Sequence, residues 1–527
     1  MKIEFKKSLF WWIAPIYINF IFELIFSDFR PDRWINFLEN HVFLVILFVF
    51  INLHSVFKTK FMTGLFYLGF GLTCGAETLY YFWFGTNFSA SAIFVLFETN
   101  LAEAREFLSF YFNAKSIFLI AVHLLLILGF FIKYRNSISV KILRQKKWIC
   151  LSVFIALLAV FKFSHLIDQN FPYLLARGII VYQYEHFQLK DLPLDKQESF
   201  LSEVEHIGDD EATYVLVIGE SASRNHLTIY GYDRATTPFL TSLKPEINIY
   251  TDVISNSAFT IGSLKKVLTY NHFQKDKEAT LVQLMNQAGF TTFWISNQRP
   301  VGPYESLVTK ISKASHHVHY TNTAIAGSVT PHDEVILPYF EKALNNPAKK
   351  KFIIIHLLGS HLQYKDRYPK EFDVFHNKAS NLVVNTDEAV QKRNTYDNSI
   401  TYTDFMLKEI FKSLQTQKGE KNMLYFSDHG EEVYQTRSFA GHYEENPSPP
   451  MFEVPFLFWT SDDYFKNYGL TIDTKRTFML NYFFDTYADF SKIKFKQKRK
   501  RRSLFSEEFK LNNRLLNSGI HYEKLVR

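Results

Sequence analysis

YVLVIGES, Tyr214 to Ser221, is a nearly unbroken apolar run that stops at a glycine and a carboxylate. Two more stretches share its form: FIIIHLLGSH, Phe352 to His361, and MLYFSDHGEE, Met423 to Glu432. A short apolar run bounded by turn residues is the pattern of a parallel strand covered on both faces. Each run brings metal-binding groups to its carboxyl end: Glu220, then His361, then Asp428 with His429. Open α/β sheets bind ligands outside the carboxyl ends of their strands, so the three segments are expected to converge. Oxygen and nitrogen ligands without thiolate suit zinc or manganese at a catalytic site. The chain reads as a metalloenzyme.

Working outward, strand-like and helical patterns alternate from about residue 211 onward. ATLVQLMNQAG (279–289) reads as a helix closed by Gly289, FTTFWISN (290–297) as a strand, YTDFMLKEIFKSLQ (402–415) as a helix and EVPFLFW (453–459) as a strand. The alternation predicts an α/β sandwich with a mostly parallel central sheet. Within it, SNSAFTIGSLKKVLT (255–269) places Thr260 just before a helix-like stretch. Free backbone N–H groups at a helix start favour a phosphate there. A threonine hydroxyl is a poor nucleophile until a base or metal activates it. From spacing alone, Thr260 reads more readily as an ordinary N-cap. The adjacent acid and base Asp428 and His429 would be costly at a strand end without a partner. His356 is expected to point into the core.

The first 165 residues are far more apolar than the rest. Apolar stretches at about 10–26, 41–57, 61–84, 116–132 and 148–163 are candidate spans, the second, fourth and fifth at the short end of the roughly 17–25 residues required. Lys2, Lys6 and Lys7, then Lys58 and Lys60, then Lys133, Arg135, Lys141, Arg144, Lys146 and Lys147 fall on one side of a five-span arrangement. The positive-inside rule puts that side in the cytoplasm and everything after about 165 outside it. The predicted organisation is a multi-pass helical membrane domain (1–165), a bridging segment (166–210) and a catalytic domain (211–527). Between the third and fourth spans, NFSASAIFVLFETNLAEAREFLSFYF (87–112) has the spacing of an amphipathic helix, either at the membrane surface or packed between domains. The net charge of +7 is modest and no nucleic-acid-binding motif appears, so no such partner is expected. KIKFKQKRKRR (492–502) reads as a solvated basic surface that could meet anionic lipid. Cys74 and Cys150, the only two cysteines, lie in or beside apolar segments and define no disulfide framework.

GESASRNHLTIYGYDRATTP (219–238), the Thr260 segment, HLLGSH (356–361), YDNSITYTD (396–404) and FSDHGEE (426–432) together resemble the motifs of the bacterial phosphoethanolamine transferases. These are integral membrane enzymes of the inner membrane, with an alkaline-phosphatase-like, sulfatase-type domain in the periplasm. The resemblance extends over almost the whole chain, including the five-span half. It implies Thr260 as the nucleophile, and Glu220, Thr260, Asp428 and His429 as ligands of one tightly held zinc. His361 and His442 (in AGHYEENP) would hold the substrate phosphate or a second, weaker zinc, one of them serving as general acid. Thr99 and Glu103 match expected donor-lipid contacts, although Val95 stands where the family pattern has Asn. The implied donor is phosphatidylethanolamine and the acceptor lipopolysaccharide, handled at the bilayer by a monomer. Lipid A-modifying members carry cysteine pairs in the soluble domain, one bracketing the nucleophile. The absence of cysteine here points to a core sugar such as a heptose. The alternative is another head-group transferase or hydrolase of the same fold, for example one moving phosphoglycerol onto a periplasmic glycan.

Overall fold

The computed structural model describes residues 2–26, 32–53, 57, 59–85, 88, 93, 96–97, 99, 101–133, 147–164, 167, 170–273, 277–299, 307–322, 330–377, 379, 381–461, 464, 468, 470–511 and 513–526. Val95 and most of the basic loop between the fourth and fifth apolar stretches lie outside these residues. The chain forms two compact units, Met1–Phe97 with Tyr111–Phe187, and Glu98–Phe110 with Gln188–Arg527. The second unit thus takes in a segment that lies, in sequence, between two apolar helices.

In the first unit, helices Lys2–Phe26, Asp32–Leu53, Lys60–Phe84, Ala114–Lys133 and Lys147–Phe163 stand at the five apolar stretches. Arg33–Leu53 and Ala114–Ile132 are long and apolar enough to cross a membrane, while Leu9–Ile25 and Leu151–Phe163 are shorter apolar runs. Lys60–Phe84 is broken in its apolar character by Thr63, Glu77, Thr78 and several tyrosines. Phe61, Ile132 and Phe163 face outward while Trp12, Tyr67 and Phe130 pack inside. That is the distribution a lipid solvent favours. The interior also holds a polar knot. Glu77 accepts hydrogen bonds from Asn19 (2.7 Å), Asn36 (2.7 Å) and Asn40 (2.9 Å), side chains of the two helices Lys2–Phe26 and Asp32–Leu53.

The second unit is built on a seven-stranded sheet. Its strands are β1 (Ala212–Gly219), β2 (Ile247–Ile249), β3 (Thr291–Ser296), β4 (His317–Tyr320), β5 (Lys350–His356), β6 (Glu420–Ser427) and β7 (Phe456–Thr460). They lie in the order β2-β7-β6-β1-β5-β3-β4. All pairings are parallel except the two that β7 makes, with β6 and with β2. Only β7 therefore runs against the other six. Period-two alternation sends Tyr214, Leu216 and Ile218 into one core, and Val215 and Val217 into the other. Both faces are covered, which is why these strands read as continuous apolar runs. Helix Leu281–Gln287 begins at a Thr280–Gln283 capping box, and Gly289 beyond its end has φ +86°.

Only part of the basic tail departs from the expected solvated surface: Lys494, Lys496, Lys500 and Arg501 are exposed. Lys492 is buried and paired with Glu420, and Lys498 is paired with Asp489. Arg499 lies 2.9 Å from Asp485, with its guanidinium 3.7 Å from the Tyr270 ring centroid. Acidic partners 9 to 72 positions away turn these three cations toward the domain, and a local charge count cannot show them.

Candidate active site

Strands β6, β1 and β5 are neighbours at the centre of the sheet, so their carboxyl ends open on one place. Glu220 follows β1 directly. The next residue, Ser221, has φ +54°, unusual for a side chain with a Cβ. Its surroundings fix that turn. Ser221 N–H donates to Asp428 Oδ1 (3.1 Å), and Tyr396 O–H donates to Ser221 C=O (2.7 Å). Ser223 N–H returns a bond to the Tyr396 hydroxyl (2.9 Å). Beside Tyr396, the buried Asp397 receives His226 (2.7 Å), Tyr232 (2.8 Å) and Arg234 (2.8 Å). The YDNSITYTD and YGYDR motifs thus form the frame that holds the Glu220 turn.

The turn after β5 packs directly on Glu220. Ser360 N–H donates to Glu220 C=O (3.0 Å), while the buried Asp333 accepts from Leu358 N–H (2.8 Å) and Gly359 N–H (2.9 Å). Gly359 has φ +54°, and a Cβ there would stand 2.8 Å from Glu220 O and 2.9 Å from Glu220 N. Gly359→Ala should therefore destabilise the protein by more than the about 1–2 kcal/mol that a left-handed L-residue costs alone. It should also shift Glu220 and reduce activity. Denaturant unfolding with a parallel metal assay checks this, and wild-type values for both would show that the packing is not so close.

Thr260 is the first residue of helix Thr260–Val267; Phe259 holds the N-cap position and no side chain caps there. The N-cap reading of Thr260 is thereby replaced. Its hydroxyl instead donates to Glu220 Oε2 (3.1 Å). Glu220, Asp428 and His429 are fully buried, and one ligand atom from each lies within 4.8 Å of the others. His429 Nδ1 donates to Gly430 C=O (2.9 Å), which leaves Nε2 facing Glu220 Oε1 (3.3 Å) and Asp428 Oδ2 (3.5 Å). Among the described residues, Nε2 and Asp428 Oδ2 have no hydrogen-bond partner. An imidazole lone pair cannot rest against two carboxylate oxygens unless a proton or a metal cation lies between them. Burial would lower the His429 pKa, but Asp428 and Glu220 outweigh it and hold it up, to about 10. Asp428 is pushed up to about 6, first by burial and then by Glu220. Burial also opposes ionisation of Glu220, yet His429 keeps it below the ordinary carboxylate range. Two acids against one imidazolium leave excess negative charge, and a divalent ion can replace the proton. With the Thr260 hydroxyl, these groups fit a four-coordinate oxygen and nitrogen site.

His442 stands over this cluster, its ring 4.3 Å from that of His429. Its Nδ1 lies 2.5 Å from Glu431 Oε2, and Glu431 also accepts the Tyr364 hydroxyl. His429, Glu431 and His442 form a second group able to hold a metal. Burial pushes Glu431 up to about 8, and burial with the His429 charge pushes His442 down to about 3. His361 is half-buried with an unpartnered Nδ1, and is pushed down to about 3 by burial and then by Arg367. Thr99 precedes helix Leu101–Tyr111 and Glu103 lies in its first turn, both half-buried; Glu103 is outside both metal-capable groups. His356 is buried against Trp294.

Three participants escape a reading of the sequence. Gln298 donates to Glu220 Oε2 (3.3 Å) and to Leu357 C=O (3.0 Å). Ser263 O–H donates to Asp428 C=O (2.5 Å). Glu431 orients His442. Gln298 follows the carboxyl end of β3, so the strand-end rule would have found it had it been applied to an amide.

The sulfatase family model matches residues 212–493. The chain is 30% identical over 481 residues to phosphoethanolamine transferase CptA of Salmonella typhimurium, covering 86% of this chain and 83% of that one. It is 29% identical over 483 residues to phosphoethanolamine transferase EptC of Escherichia coli, with the same coverage. The zinc complex of the EptC periplasmic domain from Escherichia coli is 32% identical, with a TM-score of 0.59 over 62% of this chain and 96% of that one. Lipooligosaccharide phosphoethanolamine transferase A from Neisseria meningitidis, an integral membrane protein, shares the fold along 96% of this chain and 98% of its own, with a TM-score of 0.68 at 21% identity.

Proposed function

Because the chain belongs to the sulfatase family and to its phosphoethanolamine transferases, we propose that it moves phosphoethanolamine from phosphatidylethanolamine to lipopolysaccharide through Thr260. The observation that carries this reading is the Thr260 hydroxyl at a helix start, 3.1 Å from Glu220 in the buried group with Asp428 and His429. Glu220, Asp428, His429 and Thr260 would hold one zinc ion. When bound, it would supply positive charge that lowers the threonine pKa and neutralises phosphoryl oxygens.

In the first step Thr260 Oγ1 bonds to the donor phosphorus, the bond from phosphorus to the diacylglycerol oxygen breaks, and that oxygen takes a proton. In the second, an acceptor oxygen attacks the same phosphorus, Thr260 leaves, and its hydroxyl is restored. Glu220 accepts the threonine hydrogen bond and orients the oxygen, His442 carries the threonine proton to the departing diacylglycerol oxygen, and the N–H groups at the start of helix Thr260–Val267 face the phosphate. His361 and His442 flank the phosphoryl group. Glu431 on Nδ1 of His442 stabilises the imidazolium that forms when His442 shuttles a proton. Holding these groups in line is the protein's main contribution.

The catalytic unit lies in the periplasm, with the N-terminus and the 133–147 loop in the cytoplasm and Thr99 and Glu103 on the donor lipid. The acceptor is a core sugar, a heptose, a choice supported by the absence of cysteine beyond Cys150. Mass spectrometry of lipopolysaccharide with and without the gene tests this. Loss of phosphoethanolamine from the core fraction alone is expected, whereas loss from lipid A would refute the acceptor and leave the chemistry standing.

A further inference from the structure

His361 leads into a short turn that something outside the sheet must hold. Gln363 has φ +64°, a strained conformation for a residue with a Cβ, and starts the one-turn helix Tyr364–Asp366. Its side chain donates to Glu106 C=O (2.9 Å) and to the Ser109 hydroxyl, both in helix Leu101–Tyr111. Three residues after Tyr364, the buried Arg367 places Nη2 2.6 Å from Glu106 Oε2. Glu106 Oε1 in turn accepts from Thr330 (3.2 Å). The Phe110 ring meets Tyr364 edge-on at 5.4 Å between centroids, and Tyr364 is the residue that bonds Glu431 behind His442. All of these residues belong to the second compact unit.

We propose that Gln363 and Arg367 are positioning residues, latched by Glu106 of helix Leu101–Tyr111, and that the latch sets both His361 and His442 for phosphoryl transfer. The inference rests on the transferase reading above. The sheet fixes Glu220, Asp428 and His429 from within. The two outer histidines depend on a segment whose strained turn is hydrogen-bonded by one helix and whose buried guanidinium is ion-paired with it. A displacement of about 1 Å at a reacting group costs on the order of a hundred-fold in rate. Loosening the latch should therefore lower turnover without touching the metal ligands.

The test uses the full chain in detergent, with Glu106→Gln, Arg367→Glu and the exchanged pair Glu106→Arg/Arg367→Glu. Metal content, donor KM, kcat and hydrogen exchange of the 361–367 peptide are measured together. The single variants should keep metal and KM, lose roughly ten- to a hundred-fold in kcat and exchange faster at 361–367. The exchanged pair should recover most of both. Wild-type kcat and exchange in the single variants would overturn the latch, as would loss of metal in step with activity. A wild-type protein that transfers nothing would instead defeat the transferase reading. The exchange measurement would still decide whether Glu106 holds the turn.

Discussion

Thr260→Ala is expected to abolish transfer, a fall of several orders of magnitude, in a protein that remains folded and metal-loaded. The neighbouring hydroxyls are each engaged elsewhere, Ser221 Oγ with Glu220 Oε1 (2.9 Å) on the other oxygen of the carboxylate. Ser257 Oγ is committed to Glu444, and Ser263 Oγ to the carbonyl of Asp428. The structural cost is small. Thr260 contributes one side-chain hydrogen bond, worth about 1 kcal/mol net, and Glu220 Oε2 keeps its bond from Gln298. Thr260→Ser should retain part of the activity, since the hydroxyl remains while its rotamer is less restricted. Intact-mass analysis after incubation with phosphatidylethanolamine should show a phosphoethanolamine adduct on wild-type protein and none on Thr260→Ala. A folded alanine variant that turns over at the wild-type rate would end the covalent mechanism.

The second large effect is that of Asp428→Asn. The asparagine Oδ1 can keep the bonds from Ser221 N–H and His429 N–H. In place of Oδ2, however, an amide N–H would stand 3.5 Å from His429 Nε2 and could donate to the lone pair a metal needs. The variant should fold, lose bound metal and lose activity. Chelation should destabilise the wild-type protein by about 2.7 kcal/mol for metal held at 100 times its Kd, and leave Asp428→Asn unmoved. Elemental analysis beside denaturant unfolding would measure both. Full metal occupancy with wild-type turnover in the variant would remove Asp428 from the site.

The strand ends were legible because apolar runs buried on both faces announce themselves, and the buried acid and imidazole groups gather where those runs stop. Glu220, Asp428 and His429 could be read this way, and so could the mostly parallel sheet. The reversed strand β7 could not, because EVPFLFW has the same composition as its parallel neighbours. Nor could the role of YDNSITYTD, which lies inside the long helix Asp387–Gln415. Its polar residues are buried, Tyr396 against the Glu220 turn and Asp397, Asn398 and Asp404 against neighbouring segments, so they mask the helical period that would have carried the expected 402–415 helix back to Asp387. Gln298 and Glu106 act through partners 78 and 257 positions away, and even Glu431 and the paired tail cations reach partners that no local pattern marks. Local pattern predicts elements and their ends. It does not predict which distant side chain completes a hydrogen bond.

The knot of amides around Glu77 also bears on how the protein is made. An acidic side chain makes a helix a poor candidate for insertion by itself, by up to about 3 kcal/mol at its centre. The Lys60–Phe84 helix carries that acid, and the amides that satisfy it come from Asn19, Asn36 and Asn40. Those residues leave the ribosome first. In the membrane arrangement proposed above, synthesis order would bring the donors in before the acid arrives, and the third helix would be retained by helices already waiting for it. A chain begun after residue 53 would present the same third helix to the translocon with no amide to receive it.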